Sequence, residues 1–176
     1  MTRMTALLAR NAQFAAAYTP APLGPPTAQM LIVTCLDHRV EPALTLGLQL
    51  GDAPVIRNAG GRVTQAVIDD IGYLAYLAGQ LFGGQAAGGS LFEVAVIHHT
   101  QCGSGALADA TFRRRYAERI GADETTLREH AILDPAATVN RDVERLRVAR
   151  AIPERVAVSG HVYDVVTGLV QTVIPA

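Results

Sequence analysis

The sequence predicts an α/β fold in which helices flank a central, mostly parallel β-sheet. Short, continuous runs of Val, Ile and Leu alternate along the chain with longer stretches of helical periodicity. Parallel strands that are buried on both faces read as unbroken apolar runs of this kind. A length of 176 residues, with 49% hydrophobic and 18% charged residues, suits a single domain with a full core.

The first 26 residues are expected to form a helical arm and a stiff linker outside that domain. Helical periodicity over 5–18 predicts an amphipathic helix, and the segment PAPLGPP at 20–26 ends it. A short helix on a proline linker has little core of its own, so we expect it to pack on a partner subunit. Residues 27–176 are then expected to form one α/β domain.

The remaining elements follow in order from the hydrophobic pattern. Strands are predicted at 30–35, 54–58, 92–99 and 155–160. Helices are predicted at 41–51, 63–81, 104–120, 123–131 and 136–150. A closing hairpin is predicted over 162–173, with Thr167 and Gly168 at its turn. The segment GGQAAGGS, at 83–90, is predicted to be a flexible connection.

Three of the predicted strands end in residues that can do chemistry. TCLDHR at 34–39, IRNAGG at 56–61 and IHHTQCG at 97–103 each follow an apolar run. In open parallel sheets, ligands bind at the carboxyl ends of the strands. The convergence of these segments therefore predicts a functional site at that edge of the sheet.

The two cysteines of the chain, Cys35 and Cys102, each lie at or just past a predicted strand end. His99 precedes Cys102 by three residues, so one turn can direct both side chains to the same point. Two thiolates and one imidazole form the three-ligand set of a catalytic zinc with an open fourth position. Two unrelated buried thiols are the alternative, and a disulfide is disfavoured in a reducing compartment. His98 is expected to face the opposite side of the strand.

The residues that follow Cys35 add a second feature. Cys35, Asp37 and Arg39 alternate, so an extended backbone places all three on one side. Asp37 could take the fourth zinc position or accept a hydrogen bond from zinc-bound water, and Arg39 would compete for it through a bidentate pair. An ordinary ion pair that ties down a loop is the structural alternative.

Composition narrows the classes of partner. A formal net charge of −1 gives no electrostatic reason to expect nucleic acid or an anionic membrane. The basic run RRRYAER at 113–119 is interleaved with acidic residues, which favours a solvated helix face. No apolar stretch reaches the length of about 18 residues that a membrane span needs. Without a convincing secretory core, a cytoplasmic location is expected.

Taken together, these segments resemble the β-class carbonic anhydrases. The family pattern C-x-D-x-R is matched at 35–39, and H-x-x-C is matched at 99–102. The resemblance continues in VIRNAGG at 55–61 and in GHVYDVVTGLV at 160–170, which is similar to the Y-D-x-x-T-G ending of the family. The short length and the HHT before the cysteine resemble the compact prokaryotic subgroup.

The resemblance implies reversible hydration of CO2 to bicarbonate and a proton, with zinc-bound hydroxide as the nucleophile. It implies one Zn²⁺ per chain, held by Cys35, His99 and Cys102, with Asp37 as a further ligand in a closed state. Asp37 and Arg39 would form the catalytic pair that orients the hydroxide. It also implies a homodimer, or a multiple of it, with the N-terminal helix reaching across the partner.

Two alternatives use the same zinc site: hydrolysis of carbonyl sulfide or carbon disulfide, and a regulatory homologue without turnover. The segment 83–90 is longer than the connection usual before the H-x-x-C strand, and Gln101 stands where this subgroup often has an acidic residue. Both departures bear on access to the metal, and neither removes a ligand.

Overall fold

The structure is a computed structural model that describes residues 2–82 and 92–176. Its strands are β1 (Met30–Cys35), β2 (Val55–Asn58), β3 (Phe92–His99), β4 (Val156–Tyr163) and β5 (Val170–Ile174). Its α-helices are α1 (Arg3–Ala16), α2 (Pro42–Thr45), α3 (Gln65–Phe82), α4 (Ala110–Ile120), α5 (Glu124–Glu129) and α6 (Pro135–Arg147). Short 3-10 helices occupy Ala59–Gly61 and Gly103–Ala108.

The strands form one sheet in the order β2-β1-β3-β4-β5. The β1–β2, β1–β3 and β3–β4 pairs are parallel, and only the β4–β5 pair is antiparallel. The predicted fold class, a mostly parallel sheet flanked by helices, is confirmed. Because β1 and β3 are neighbours, with Thr34 opposite Ile97, their carboxyl ends lie side by side.

The core divides between the two faces of the sheet. On one face, apolar side chains of α3 and α6, among them Ile71 and Val143, pack with strand residues such as Val94. Alternation along the strands sends their neighbours to the other face. There, Ile32 and Ile97 belong to a smaller buried cluster that is covered by loops.

Two predicted helices are shorter than the sequence suggested. The helix expected over 41–51 is limited to α2, because Gly47 adopts a left-handed φ of +69° soon after it. The helix expected over 104–120 is divided into a 3-10 helix and α4. Asp109 makes the division, since its side chain accepts a hydrogen bond of 2.7 Å from the backbone N–H of Phe112 and so caps α4.

The C-terminal hairpin is built differently from the prediction. The strand expected over 155–160 does not end there but continues as β4 through Tyr163, and it is the first strand of the hairpin. The turn falls where it was predicted, with Gly168 at a φ of +74°. The predicted connection at 83–90 lies outside the described residues.

Helix α1 makes little contact with the rest of the chain. None of its residues is buried, and Leu7 and Phe14 are about half exposed (50% and 52%). Phe14 packs against Tyr18, with ring centroids 5.3 Å apart. Within residues 2–82 and 92–176, no helix is long and apolar enough to span a membrane.

Candidate metal centre

Three side chains from two neighbouring strand ends converge. Cys35 is the last residue of β1, His99 is the last residue of β3, and Cys102 immediately precedes the Gly103–Ala108 helix. Their ligand atoms all lie within 4.8 Å of one another. These are the three residues that the sequence predicted to converge, and the parallel β1–β3 pairing is what brings them together.

The hydrogen bonds of His99 leave one ring nitrogen without a partner. Nδ1 lies 2.9 Å from the backbone carbonyl oxygen of Thr100. A carbonyl can only accept, so Nδ1 carries the proton and Nε2 presents a lone pair. Nε2 is buried and has no hydrogen-bond partner among the described residues. An orphaned buried nitrogen beside two thiols is the arrangement that a metal ion would satisfy.

The two thiols interact directly. Both cysteines are free, and Cys35 is buried. A hydrogen bond from Cys102 lowers the pKa of the Cys35 thiol, whereas the same bond, together with burial, raises the pKa of Cys102. Without a cation the pair therefore favours a single thiolate. A divalent cation would supply the charge that stabilises both thiolates, and a Cys₂His donor set suits zinc.

Asp37 forms the bidentate pair with Arg39 that the sequence predicted. Arg39 Nε donates to Asp37 Oδ1 at 3.0 Å, and Arg39 Nη2 donates to Oδ2 at 2.7 Å. The backbone N–H of Arg39 also donates to Oδ1, at 2.9 Å. These bonds hold the pKa of Asp37 well below its usual range. Among the described residues, the group of close metal donors comprises Cys35, His99 and Cys102, without Asp37.

Arg39 also connects the two loops that carry the donors. Its Nη2 donates to the backbone carbonyl of Gln101 at 3.1 Å. Gln101 has a φ of +55°, in the left-handed region that residues other than glycine rarely adopt. One guanidinium therefore binds a carboxylate next to Cys35 and a carbonyl next to Cys102. His38 is exposed, and its Nδ1 lies 3.7 Å from Asp37 Oδ1, on the solvent side of the pair.

Arg57 holds the loop between β1 and α2, a role that was not assigned from the sequence. Its side chain donates to the carbonyls of Cys35 (3.0 Å), Asp37 (2.9 Å) and Val40 (2.6 Å). It also donates to the carboxylate of Glu41 at 2.6 Å. One guanidinium thus binds four acceptors within seven consecutive residues. These hydrogen bonds fix the backbone that carries Cys35 and Asp37.

Gly61 lies directly against the end of β1. A Cβ at this position would lie 2.7 Å from the backbone nitrogen of Cys35 and 2.7 Å from the carbonyl carbon of Thr34. The residue also has a φ of +66°. Glycine is therefore required twice, for its conformation and for the close approach of the two backbones.

A buried ionic network lies on the opposite face of the sheet. Arg62 donates to both oxygens of Asp142, at 2.7 and 2.9 Å, and also to the carbonyl of Glu129. His98 Nε2 lies 3.2 Å from Asp142 Oδ2. His98 and Asp142 are almost completely inaccessible to solvent. His98 faces away from His99, as predicted, whereas nothing in the sequence of α6 marked Asp142 as its neighbour.

Comparison with known proteins agrees with this arrangement. A family model described as carbonic anhydrase matches residues 30–170. The chain is 31% identical over 176 residues to β-carbonic anhydrase 1 of Mycobacterium tuberculosis, covering 99% of this chain and all of that protein. It is 31% identical over 163 residues to a carbon disulfide hydrolase of Acidithiobacillus thiooxidans, covering 82% of this chain and 76% of that protein.

The same fold is found in a crystal structure of carbonic anhydrase from Streptococcus mutans, with a TM-score of 0.79 and 33% sequence identity. The alignment covers 98% of both chains. A mostly parallel sheet with Cys, His and Cys side chains at its carboxyl edge defines an α/β protein with a candidate metal site. The chain belongs to the β-carbonic anhydrase family.

Proposed function

We propose that this protein catalyses the reversible hydration of CO2 to bicarbonate and a proton. The observation that carries the proposal is the meeting of Cys35, His99 and Cys102 beside the Asp37–Arg39 pair. The donors suit a zinc site with an open position, and the adjacent carboxylate is fixed by two N–H groups of one guanidinium. Membership of the β-carbonic anhydrase family supports the same reaction.

We assign the metal to Cys35, His99 and Cys102, with one Zn²⁺ per chain. A zinc ion held by three protein ligands lowers the pKa of a water molecule and so supplies hydroxide near neutral pH. The remaining chemistry falls to the chain itself. Two thiolates would neutralise the charge of the cation, and the hydrogen bond from Nδ1 to the Thr100 carbonyl would keep His99 Nε2 available.

Asp37 is assigned the role of orienting the attacking hydroxide. Its low pKa keeps it ionised, so it accepts a hydrogen bond and does not donate one. As an acceptor, Asp37 would take a hydrogen bond from the attacking hydroxide and so would leave an oxygen lone pair free to meet CO2. Arg39 restrains Asp37 from turning to the metal, because it occupies both carboxylate oxygens. Loss of Arg39 would free Asp37 to become the fourth ligand.

Zinc quantification combined with stopped-flow measurement of CO2 hydration tests this proposal. The purified protein should contain about one zinc per chain and accelerate hydration, and Cys35→Ser or Cys102→Ser should lose both properties. Glu118→Ser, on the exposed surface of α4, is the matched control and should retain both. Full activity in zinc-free protein would contradict the assignment.

Hydrolysis of carbon disulfide is the second candidate, supported by the 31% identity to the Acidithiobacillus protein named above. Both substrates are linear triatomic molecules that a hydroxide can attack at carbon. Headspace detection of hydrogen sulfide from protein supplied with carbon disulfide, measured beside CO2 hydration, separates the candidates. Release of hydrogen sulfide without CO2 hydration would assign the second function and reject the first.

We further propose a cytoplasmic homodimer, or a multiple of it, in which residues 1–26 form an arm and residues 27–176 form the catalytic domain. The exposed apolar side of α1 supports the assembly, since Leu7 and Phe14 join no buried cluster within the part of the chain that the structure describes. Two unpaired cysteines support the reducing compartment.

A further inference from the structure

The Y-D-x-x-T-G segment near the C-terminus supplies no metal donor, yet it contacts the loop that does. Asp164 begins the turn between β4 and β5, and Thr100 begins the loop that leads from His99 to Cys102. The register of β3 and β4 ends with His99 opposite Tyr163. The residues that follow, Thr100 and Asp164, are therefore neighbours.

Thr100 is held at three points. Its backbone N–H donates to the carbonyl of Tyr163 at 3.0 Å, which extends the β3–β4 ladder by one bond. Its hydroxyl donates to Asp164 Oδ1 at 3.1 Å and accepts a hydrogen bond from the backbone N–H of Val165, also at 3.1 Å. Its carbonyl is the acceptor for His99 Nδ1. The orientation of this carbonyl therefore depends on contacts with the β4–β5 turn.

Asp164 is itself fixed within the turn. Oδ1 also accepts a hydrogen bond of 2.9 Å from the backbone N–H of Val166, and Oδ2 accepts one of 3.1 Å from the hydroxyl of Thr167. Backbone bonds of 2.8 Å join Asp164 to Gly168 and to Leu169. The Asp164 carboxylate is therefore held in one orientation by the turn. Its hydrogen bond with the Thr100 hydroxyl in turn restrains Thr100.

We propose that Thr100 and Asp164 are positioning residues that hold the His99 imidazole in the tautomer and orientation needed for metal binding. This inference rests on the proposed function of Cys35, His99 and Cys102 as a zinc site. The carbonyl that fixes Nδ1–H belongs to a residue whose hydroxyl and N–H are both tied to the β4–β5 turn. Loss of such an outer contact typically lowers metal affinity by about 10- to 100-fold.

Substitution of Thr100 by valine tests the inference, because it removes the hydroxyl and keeps the shape of the side chain. We expect Thr100→Val to weaken zinc binding by about 10-fold or more, measured on the full-length protein by competition with a chelator. Thr100→Ser keeps the hydroxyl and should restore wild-type affinity. Thr126→Val is the matched control, since Thr126 makes the same kind of bond, 3.1 Å to Asp123, at the start of α5.

A second readout does not depend on the metal. In zinc-free protein labelled with 15N at histidine, the wild type should show His99 protonated at Nδ1, and Thr100→Val should show a mixture of the two tautomers. Asp164→Asn, which keeps the shape of Asp164 and removes its charge, should move both readouts in the same direction. The Asp164→Asn variant provides the test if Thr100→Val does not fold.

The outcomes are distinguishable. Wild-type zinc affinity and an unchanged tautomer in folded Thr100→Val would overturn the inference and leave the zinc site intact. A wild-type protein that binds no zinc would overturn the proposed function, while the tautomer measurement would still judge the roles of Thr100 and Asp164. Equal loss of affinity in Thr126→Val would show a general effect of stability and would also overturn the inference.

Discussion

At the scale of single residues, the roles proposed for Asp37 and Arg39 allow metal binding and turnover to be tested separately. Asp37→Ala should keep zinc, because the three donors remain, but hydration should fall by on the order of 10²-fold or more, since the hydroxide loses its acceptor. Zinc content and stopped-flow hydration measured on the same sample test this. Asp70→Ala, an exposed carboxylate of α3, is the control. Near-wild-type turnover with zinc bound would rule out the role of Asp37.

The Arg39→Ala variant tests whether Arg39 keeps Asp37 away from the metal. Asp37 loses the cation that competes with the metal for its carboxylate, so zinc should be retained while hydration falls sharply. The Co²⁺-substituted protein should also change its absorption spectrum, because coordination by Asp37 alters the ligand field. A spectrum identical to that of the wild type would contradict the idea that Arg39 restrains Asp37.

Arg57 offers a third test at this scale. Arg57→Gln removes the fork that binds three carbonyls and Glu41, and it should lower the free energy of unfolding by about 2 kcal/mol, together with zinc affinity. Arg147→Gln is the control, because Arg147 also donates to two carbonyls, those of Val158 and Pro175, outside the site. It should lose stability and keep its zinc affinity. Equal affinity losses in both variants would remove the specific role of Arg57.

The sequence predicted the site well where the information is local and poorly where it is not. Asp37 and Arg39 lie within five residues of Cys35 and form the predicted pair, although His38 and Arg39 lie in a turn closed by a bond from Val40 to Asp37, not on the extended backbone that the sequence predicted. The acceptors of Arg57 are backbone carbonyls, and no residue type in the sequence marks which carbonyls a distant side chain reaches. Asp142 is a charged residue on the buried side of α6, and its position makes sense only once Arg62 is placed beside it.

At the scale of elements, the Ala59–Gly61 helix is coupled to β1 by contact. Gly61→Ala should destabilise the protein and weaken zinc binding, since its Cβ would overlap the backbone of Thr34 and Cys35. Gly47→Ala is a close control, with a φ of +69° and no atom within 4 Å of the added Cβ. It should show only the conformational cost of about 1–2 kcal/mol. Equal effects on unfolding in urea would refute the packing argument.

The stability that Asp142 contributes between α6 and the sheet should depend on pH. Burial opposes ionisation of Asp142, but the neighbouring His98 ring and the paired Arg62 guanidinium prevail and hold the pKa of its carboxyl below the ordinary value. A lowered carboxylate pKa stabilises the fold above the ordinary pKa, and that contribution is lost as the pH falls through the folded value. Asp142→Asn should therefore cost about 3 kcal/mol at neutral pH and progressively less below about pH 4.

Urea unfolding of zinc-free wild type and Asp142→Asn across this pH range measures the difference. Metal-free protein is used because acid also releases a metal from thiolates. Asp134→Asn, which alters an exposed cap of α6, serves as the control. A wild-type advantage that stays constant down to about pH 3 would contradict the assignment of the charge.

The bounds of individual helices and strands were predicted least accurately from the sequence. One helix was predicted over 41–51, but the leucines of this stretch recur every second residue and give it no helical face, and Gly47 stops the helix after α2. The hairpin was located correctly, but its first strand proved to be the end of β4. A continuous apolar run does not show where a strand changes partners, since the pairing of β4 with β5 is a tertiary contact.

At the scale of the whole molecule, α1 should report on assembly. Deletion of residues 1–20 should convert the proposed oligomer to a smaller species, because it removes Leu7 and Phe14, the side chains expected to pack on the partner. Light scattering coupled to size-exclusion chromatography measures the change. Phe14→Glu should act in the same direction, whereas Val148→Glu, at a position 79% exposed in this chain, should not. An unchanged mass after deletion would refute the arm.

The position of the metal donors also has a consequence for how the protein matures. Cys35 ends β1, whereas His99 and Cys102 arrive only after β2 and α3 have been made. The complete donor set therefore exists only in the folded chain, and the unfolded chain must bind zinc more weakly. At 100 times its dissociation constant, zinc would add about 2.7 kcal/mol to the free energy of unfolding. The supply of zinc in the cell would thus decide how many newly made chains survive to become enzyme.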